Sequence, residues 1–244
     1  MQPSTCYNVS MGIIISVVIL VLVTLIQLLM QLTSGALALF YHYALGKNSA
    51  IKADNFALHF ILGAEVFVGG IWLVVYLLLS NLMGGTSDMA FRIIAWVLFG
   101  IFIAESITSV LFYYRKGRFT ELYVPRSITK GITIKAKSVK TRSDAFVLGF
   151  IVGAFELVFT LPIYMAGIVA LLKASALPKA PIIILFVVIS VIPLFITRTL
   201  FRLDHNLAEI EKRRIKRKNL IKACMGLSFV LLAAAMAWLG VIYG

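Results

Sequence analysis

Residues 153–167 read GAFELVFTLPIYMAG, an apolar stretch of the kind that crosses a bilayer, with Glu156 inside it and Pro162 six residues later. A carboxylate in hydrocarbon is costly, and a proline within a helix removes a backbone hydrogen bond. Both features together read as an interrupted membrane helix that carries a polar site. The rest of the chain has to be read around that segment.

Composition sets the setting. Of 244 residues, 61% are hydrophobic and only 14% are charged, with a mean hydropathy of +1.00. Soluble domains are roughly 45–50% apolar and about 25% charged. The chain therefore reads as an all-α integral membrane protein. Six apolar segments emerge, at about 11–33, 56–80, 90–114, 145–172, 181–201 and 219–243, each near the ~20 residues a membrane helix needs. The first can extend to Tyr43. The chain start lacks the basic region of a secretory signal, and its apolar run is too long for one, so it reads as a retained helix.

The net charge of +13 follows the topology. Nine Lys or Arg lie between the third and fourth segments and nine over residues 197–222, around the connector of the fifth and sixth; Lys47 and Lys52 lie in the first connector. Only Arg92, Lys173 and Lys179 fall on the opposite side, which makes twenty against three. Basic loops collect in the cytoplasm, so both termini are expected outside, in a plasma (inner) membrane. The basic stretches are read as topological retention, with contact to lipid headgroups as a further option and no nucleic-acid role. Within the long loop, ITKGITIKAKSVK (128–140) alternates apolar and basic residues, which suits a short strand or hairpin.

Three helices (about 11–114), a basic loop (115–143) and three more (about 145–243) divide one membrane domain into two halves. An odd number of spans per half gives inverted repeats, a plan common among transporters. GALALFYHYALG (35–46) and GAFELVFTLPIYMAG share Gly-Ala openings, aromatic residues and a closing Gly.

Glu65, Glu105 and Glu156 all fall inside apolar segments. At 1.5 Å per residue they lie roughly 15, 15 and 18 Å from the basic-loop edges, near the middle of a core about 30 Å thick. Desolvation and mutual repulsion oppose the simultaneous ionisation of three carboxylates at one level, so they are expected to hold protons, surround a small cation or line an aqueous cavity. Alternatively, each is a protonated group that locks helices together. Gln27, Gln31, Thr33, Ser34, His42 and Tyr43 supply polar neighbours, and His59 reads as a helix-end hydrogen-bonding group. Thr160, Pro162 and Tyr164 follow Glu156; Pro162 frees a carbonyl near Val158, which at membrane depth must face protein, water or a ligand. Pro193 reads as an ordinary kink. Cys6 and Cys224 have no metal-ligand or paired spacing, and no nucleotide, protease, esterase or acidic metal-loop motif occurs. The longest connector is about thirty residues, too short for a soluble catalytic domain. No enzyme activity, cofactor or metal centre is expected.

The segment SDAFVLGFIVGAFELVFTLPIYMAGIVALL (143–172) resembles the fourth helix of the CcdA/DsbD transmembrane family, which belongs with the LysE-type transporter superfamily. Gly149, Glu156, Leu157, Thr160 and Tyr164 match its pattern, whereas Val158, Phe159, Leu161 and Pro162 stand where that pattern has proline, cysteine and glycine. FALHFILGAEVFVGGIWLVVYLLL and NLIKACMGLSFVLLAAAMAWLG are similar to the second and last helices. The resemblance implies a six-helix inverted-repeat fold and, in the family, transfer of reducing equivalents from thioredoxin through cysteines of helices one and four. Both cysteines are missing here. The expected function is a small-solute or cation transporter with midplane carboxylates Glu65, Glu105 and Glu156, lined by Thr160, Pro162 and Tyr164. The alternatives are a divergent thiol-disulfide component with a thioredoxin-like or paralogous partner, and a non-transporting scaffold.

Overall fold

The computed structural model describes residues 3–33, 50–84, 88–111, 132, 134–136, 138–174, 177–203 and 207–242. Six long helices account for nearly all of them: α1 (Pro3–Thr33), α2 (Ala50–Gly84), α3 (Asp88–Leu111), α4 (Arg142–Lys173), α5 (Lys179–Leu203) and α6 (Leu207–Ile242). Among the described residues there is no strand. Ser34, His42, Tyr43 and the 35–46 half of the sequence likeness lie outside them.

Apolar composition makes these segments helical, because a backbone in lipid must satisfy its own hydrogen bonds. Met11–Gln31, Asp54–Met83, Met89–Ser109, Lys179–Thr199 and Ala223–Ile242 are each long and apolar enough to cross a membrane, and α4 makes a sixth if its two arms form one bent span. The chain is a multi-pass membrane protein, helical through nearly all of its described residues. The start of α4 is fixed by a capping box: Asp144 N–H donates to Thr141 Oγ1 at 3.1 Å and Thr141 N–H donates to Asp144 Oδ2 at 2.9 Å.

Two expectations change. The basic run after Leu207 is helix rather than connector, continuous with the last span. The proposed strand at 128–140 is helical at residues 132, 134–136 and 138. Ile132 and Ala136 are buried while Ile134 is 68% exposed, so the four-residue spacing of one helix face prevails over the two-residue alternation.

Residue pairs give the relative directions of the helices. Asp54 meets Arg198, Glu65 meets Ser190 and Trp72 meets Phe186, so α2 and α5 are antiparallel. Ser106 meets Gly226 and Phe102 meets Phe229, so α3 and α6 are antiparallel. Gly167 lies against Val23 and Tyr164 reaches Gln27, so α1 and α4 are antiparallel. Gly149 lies against Phe60, Gly153 against Phe67 and Gly167 against Trp72, so α2 and α4 are parallel. With α4 taken as one bent span, six alternating crossings require these four relations.

The helices of the two halves interleave. Among the described residues, the extensive contacts are α2 with α4, α3 with α6, α1 with α4, α5 and α6, α2 with α5, and a smaller one of α3 with α4. Each joins a helix of 3–111 to one of 142–242. The core between them holds Ile19, Val23, Trp72, Phe102, Ile163 and Phe229, while Val21, Leu78, Ile93, Leu185 and Val241 stay exposed, as a lipid-facing surface demands. At the tightest approach, a Cβ on Gly63 would run into the carbonyl of Phe146, and one on Gly149 into that of Phe60. Only glycine lets α2 and α4 pack backbone to backbone in this way.

Candidate functional site

The two arms of α4, Arg142–Leu157 and Phe159–Lys173, meet at 76°. The bend falls at the residue whose carbonyl Pro162 leaves without its intrahelical partner, which is the usual cause of a sharp kink. Glu156 lies one residue before the end of the first arm and Thr160 one residue after the start of the second, its hydroxyl donating to the Glu156 carbonyl at 3.2 Å. Tyr164, one turn further, is buried at the α1 face of the second arm.

Around this bend the structure assembles a polar cluster from four helices. Glu65 of α2 and Glu156 of α4 lie within electrostatic reach of each other, and both act on Tyr164. The Tyr164 hydroxyl is within hydrogen-bonding reach of Thr160 and of Gln27 on α1. Gln27 is 1% exposed. Ser190 of α5 donates to Glu65 Oε2 at 2.9 Å. Two acceptors in the cluster, Glu65 Oε1 and Gln27 Oε1, are buried and find no hydrogen-bond partner among the described residues. Buried acceptors are normally satisfied, so two orphans from different helices single this cluster out within the apolar core.

Ser190 has a second acceptor, the carbonyl of Val187, at 2.8 Å. A serine hydroxyl has one hydrogen. When Glu65 is ionised, that hydrogen serves the carboxylate; when Glu65 is protonated, Glu65 donates to Ser190 and the serine hydrogen serves Val187. The geometry accommodates either state without moving a backbone atom.

One side of the cluster is closed by aromatic rings. Trp72 packs on Phe186 with centroids 4.2 Å apart and the rings tilted by 38°, and Tyr164 lies 5.8 Å from Trp72 and edge-on to Phe186 at 6.0 Å. The other side leads to a bidentate ion pair. Arg198 Nε donates to Asp54 Oδ1 at 2.8 Å and Nη2 to Asp54 Oδ2 at 2.7 Å.

Of the residues singled out from sequence, the structure thus joins Glu65, Glu156, Thr160 and Tyr164, with Pro162 producing the bend beside them. Glu105 stands elsewhere, on α3, and has no charged partner in the cluster. Its neighbour Ser106 donates to the Gly226 carbonyl of α6 at 3.0 Å, and Glu105 Oε2 is buried with no partner among the described residues. His59 Nδ1 sits 2.8 Å from the Asn55 carbonyl, a hydrogen-bonding role as expected, but nine residues inside α2 rather than at a helix end. Ser190, Asp54 and Arg198 were not legible as site residues. Ser190 is a lone hydroxyl in an apolar run, and Arg198 reads as one more loop cation until its partner is known. Among the described residues, no trio of His, Cys, Asp or Glu converges as a metal centre, and Cys224 is an exposed free thiol.

No protein-family model, no curated protein and no solved structure matches the chain. The functional reading therefore rests on the geometry.

Proposed function

We propose that this protein is a transporter in which Glu65 and Glu156 bind a proton or small cation and alternate exposure to the two sides of the membrane. The observation that carries this reading is that Glu65, from the first half of the chain, lies within electrostatic reach of Glu156, from the second, at the bend of α4. Intramembrane carboxylates are rare and generally serve ion pathways. The dual hydrogen bonding of Ser190 supports a Glu65 that cycles between charge states.

The helix packing supports an inverted repeat. Exchanging α1 with α4, α2 with α5 and α3 with α6 converts the set of extensive contacts into itself: α1·α5 exchanges with α2·α4, α1·α6 with α3·α4, and the remaining three map onto themselves. Exchanged helices run in opposite directions. The pseudo-axis then passes between α1 and α4 and between α2 and α5, which is where Gln27, Tyr164, Glu65 and Ser190 meet. Binding at a repeat interface beside a discontinuous helix is the common transporter plan.

In the same proposal the basic loops face the cytoplasm, both termini face outward, and the fourth helix descends from a CcdA/DsbD-like one whose cysteine position is Phe159. The test is charge movement in proteoliposomes after pH or cation jumps, wild type beside Glu156→Gln. We expect the current to fall about tenfold or more, on the scale of losing one charge-stabilising group. A correctly folded Glu156→Gln protein with the wild-type current would make Glu156 a structural residue.

A further inference from the structure

Asp54, Ile61, Glu65 and Trp72 are spaced seven, four and seven residues apart, and so occupy one face of α2. Facing them, Phe186, Ser190, Leu194 and Arg198 follow at four-residue steps and form one ridge of α5. The contacts pair these rows in order: the ion pair at the basic-loop end, the Ser190–Glu65 hydrogen bond in the middle, and the Trp72–Phe186 ring pair beyond it. At 1.5 Å per residue the ion pair lies about 16 Å from Glu65, and the aromatic pair about 10 Å on the other side. Ile61 and Leu194, both buried, occupy the levels between the ion pair and Glu65.

The two neighbours of α2 hold it by different means. Gly63 and Gly149 bring α2 and α4 to backbone contact, which leaves no room for sliding. Against α5 the contacts are separate polar and aromatic pairs that can break and re-form. Pro193 lies in α5 between Ser190 and Arg198; it cannot donate to the carbonyl one turn back, so the helix has a weak point between the site and the ion pair. The Thr197 hydroxyl binds the Pro193 carbonyl at 2.7 Å on the far side of that point.

We infer that the Asp54–Arg198 pair is a gate on the basic-loop side of the Glu65–Glu156 site, opened by movement of the Pro193–Leu203 end of α5 away from α2. The inference deepens the transporter reading and rests on it for its purpose. Both side chains are about one-fifth exposed, at 22% and 19%, and their two parallel hydrogen bonds are of the strong, geometry-specific kind. The ion pair is formed in this structure, which is the closed state of the gate, and the Trp72–Tyr164–Phe186 cluster lies on the opposite side of Glu65.

The test measures access without needing a solute. In a chain with Cys6→Ser and Cys224→Ser, a reporter Ile61→Cys sits between gate and site. A charged, membrane-impermeant thiol reagent is applied from each side of sealed vesicles and the labelling rate is followed. Asp54→Asn or Arg198→Gln is expected to raise labelling from the basic-loop side roughly tenfold, with no rise from the other. The charge-swapped double variant, Asp54→Arg with Arg198→Asp, is expected to bring the rate back. Folded single variants that label at the parent rate would overturn the gate and leave the pair a structural clasp. If the single variants do not fold, Pro193→Ala keeps the ion pair and stiffens the hinge, and it must slow labelling; an unchanged rate overturns the inference. The readout is independent of transport. A labelling change with no detectable current breaks the transport reading and keeps the gate, and the reverse outcome does the opposite.

Discussion

The two faces of α2 show how one helix can be fixed and released at once. Toward α4 it presents Phe60, Gly63, Ala64 and Phe67, and the contact is made by backbone and apolar surface. Toward α5 it presents Asp54 and Glu65, with Trp72 shared between α5 and the second arm of α4, and the contact with α5 includes an ion pair, a hydroxyl–carboxylate bond and a tilted ring pair. Small-residue packing depends on close shape match over its whole length, because lipid provides little hydrophobic drive for helix association. Directional polar contacts each have an alternative partner, in water or elsewhere in the protein. The first interface is built to persist and the second to switch.

The comparison breaks most readily at the glycines. Gly63→Leu would force α2 and α4 apart along their tightest contact, at a cost of about 3 kcal/mol or more. The expected outcome is loss of a monodisperse peak in detergent and of the cooperative thermal transition. Asp54→Asn comes next. It removes the carboxylate charge that Arg198 pairs with here, and breaking such a pair destabilises on the order of 3 kcal/mol when it is fully buried; one-fifth exposure reduces that figure. A lowered melting temperature in detergent, with the helical circular-dichroism signal retained, is the expected reading. Ser190→Ala sharpens the comparison with the smallest effect, about 1 kcal/mol for one intramembrane hydrogen bond. Its melting temperature should fall only slightly, while proton-coupled current, if Glu65 cycles as proposed, should fall markedly.

The sequence is unequally informative about these two faces. All six long helices were legible as apolar runs; five are long and apolar enough to cross a bilayer, and α4 makes a sixth if its two arms form one bent span. Charge counting supplied the alternating topology, which the antiparallel and parallel pairings of the helices match. The carboxylates at Glu65 and Glu156 stood out by their cost, and Pro162 announced the bend. What hydropathy could not supply was pairing. Glu65 and Glu105 look alike in sequence, each a lone acid in an apolar run, yet α2 turns one toward the bend of α4 and α3 places the other beside α6. Ser190, Arg198 and Gln27 acquire meaning only once it is known which helix each one meets. The 128–140 segment misled for a related reason: with alternating apolar and basic residues, a period of two and a period of four cannot be told apart until the buried positions, Ile132 and Ala136, are known.

The interleaving of the helices has a consequence for how the chain is made. Among the described residues, no extensive contact joins two helices within 3–111, nor two within 142–242. As the ribosome delivers α1, α2 and α3, these helices enter the bilayer one by one with nothing yet to bind. Their partners arrive only after the basic connector has been translated. Assembly then resembles the association of two separate polypeptides more than the growth of one, and the glycine seam between α2 and α4 is the first long contact that the second half can offer.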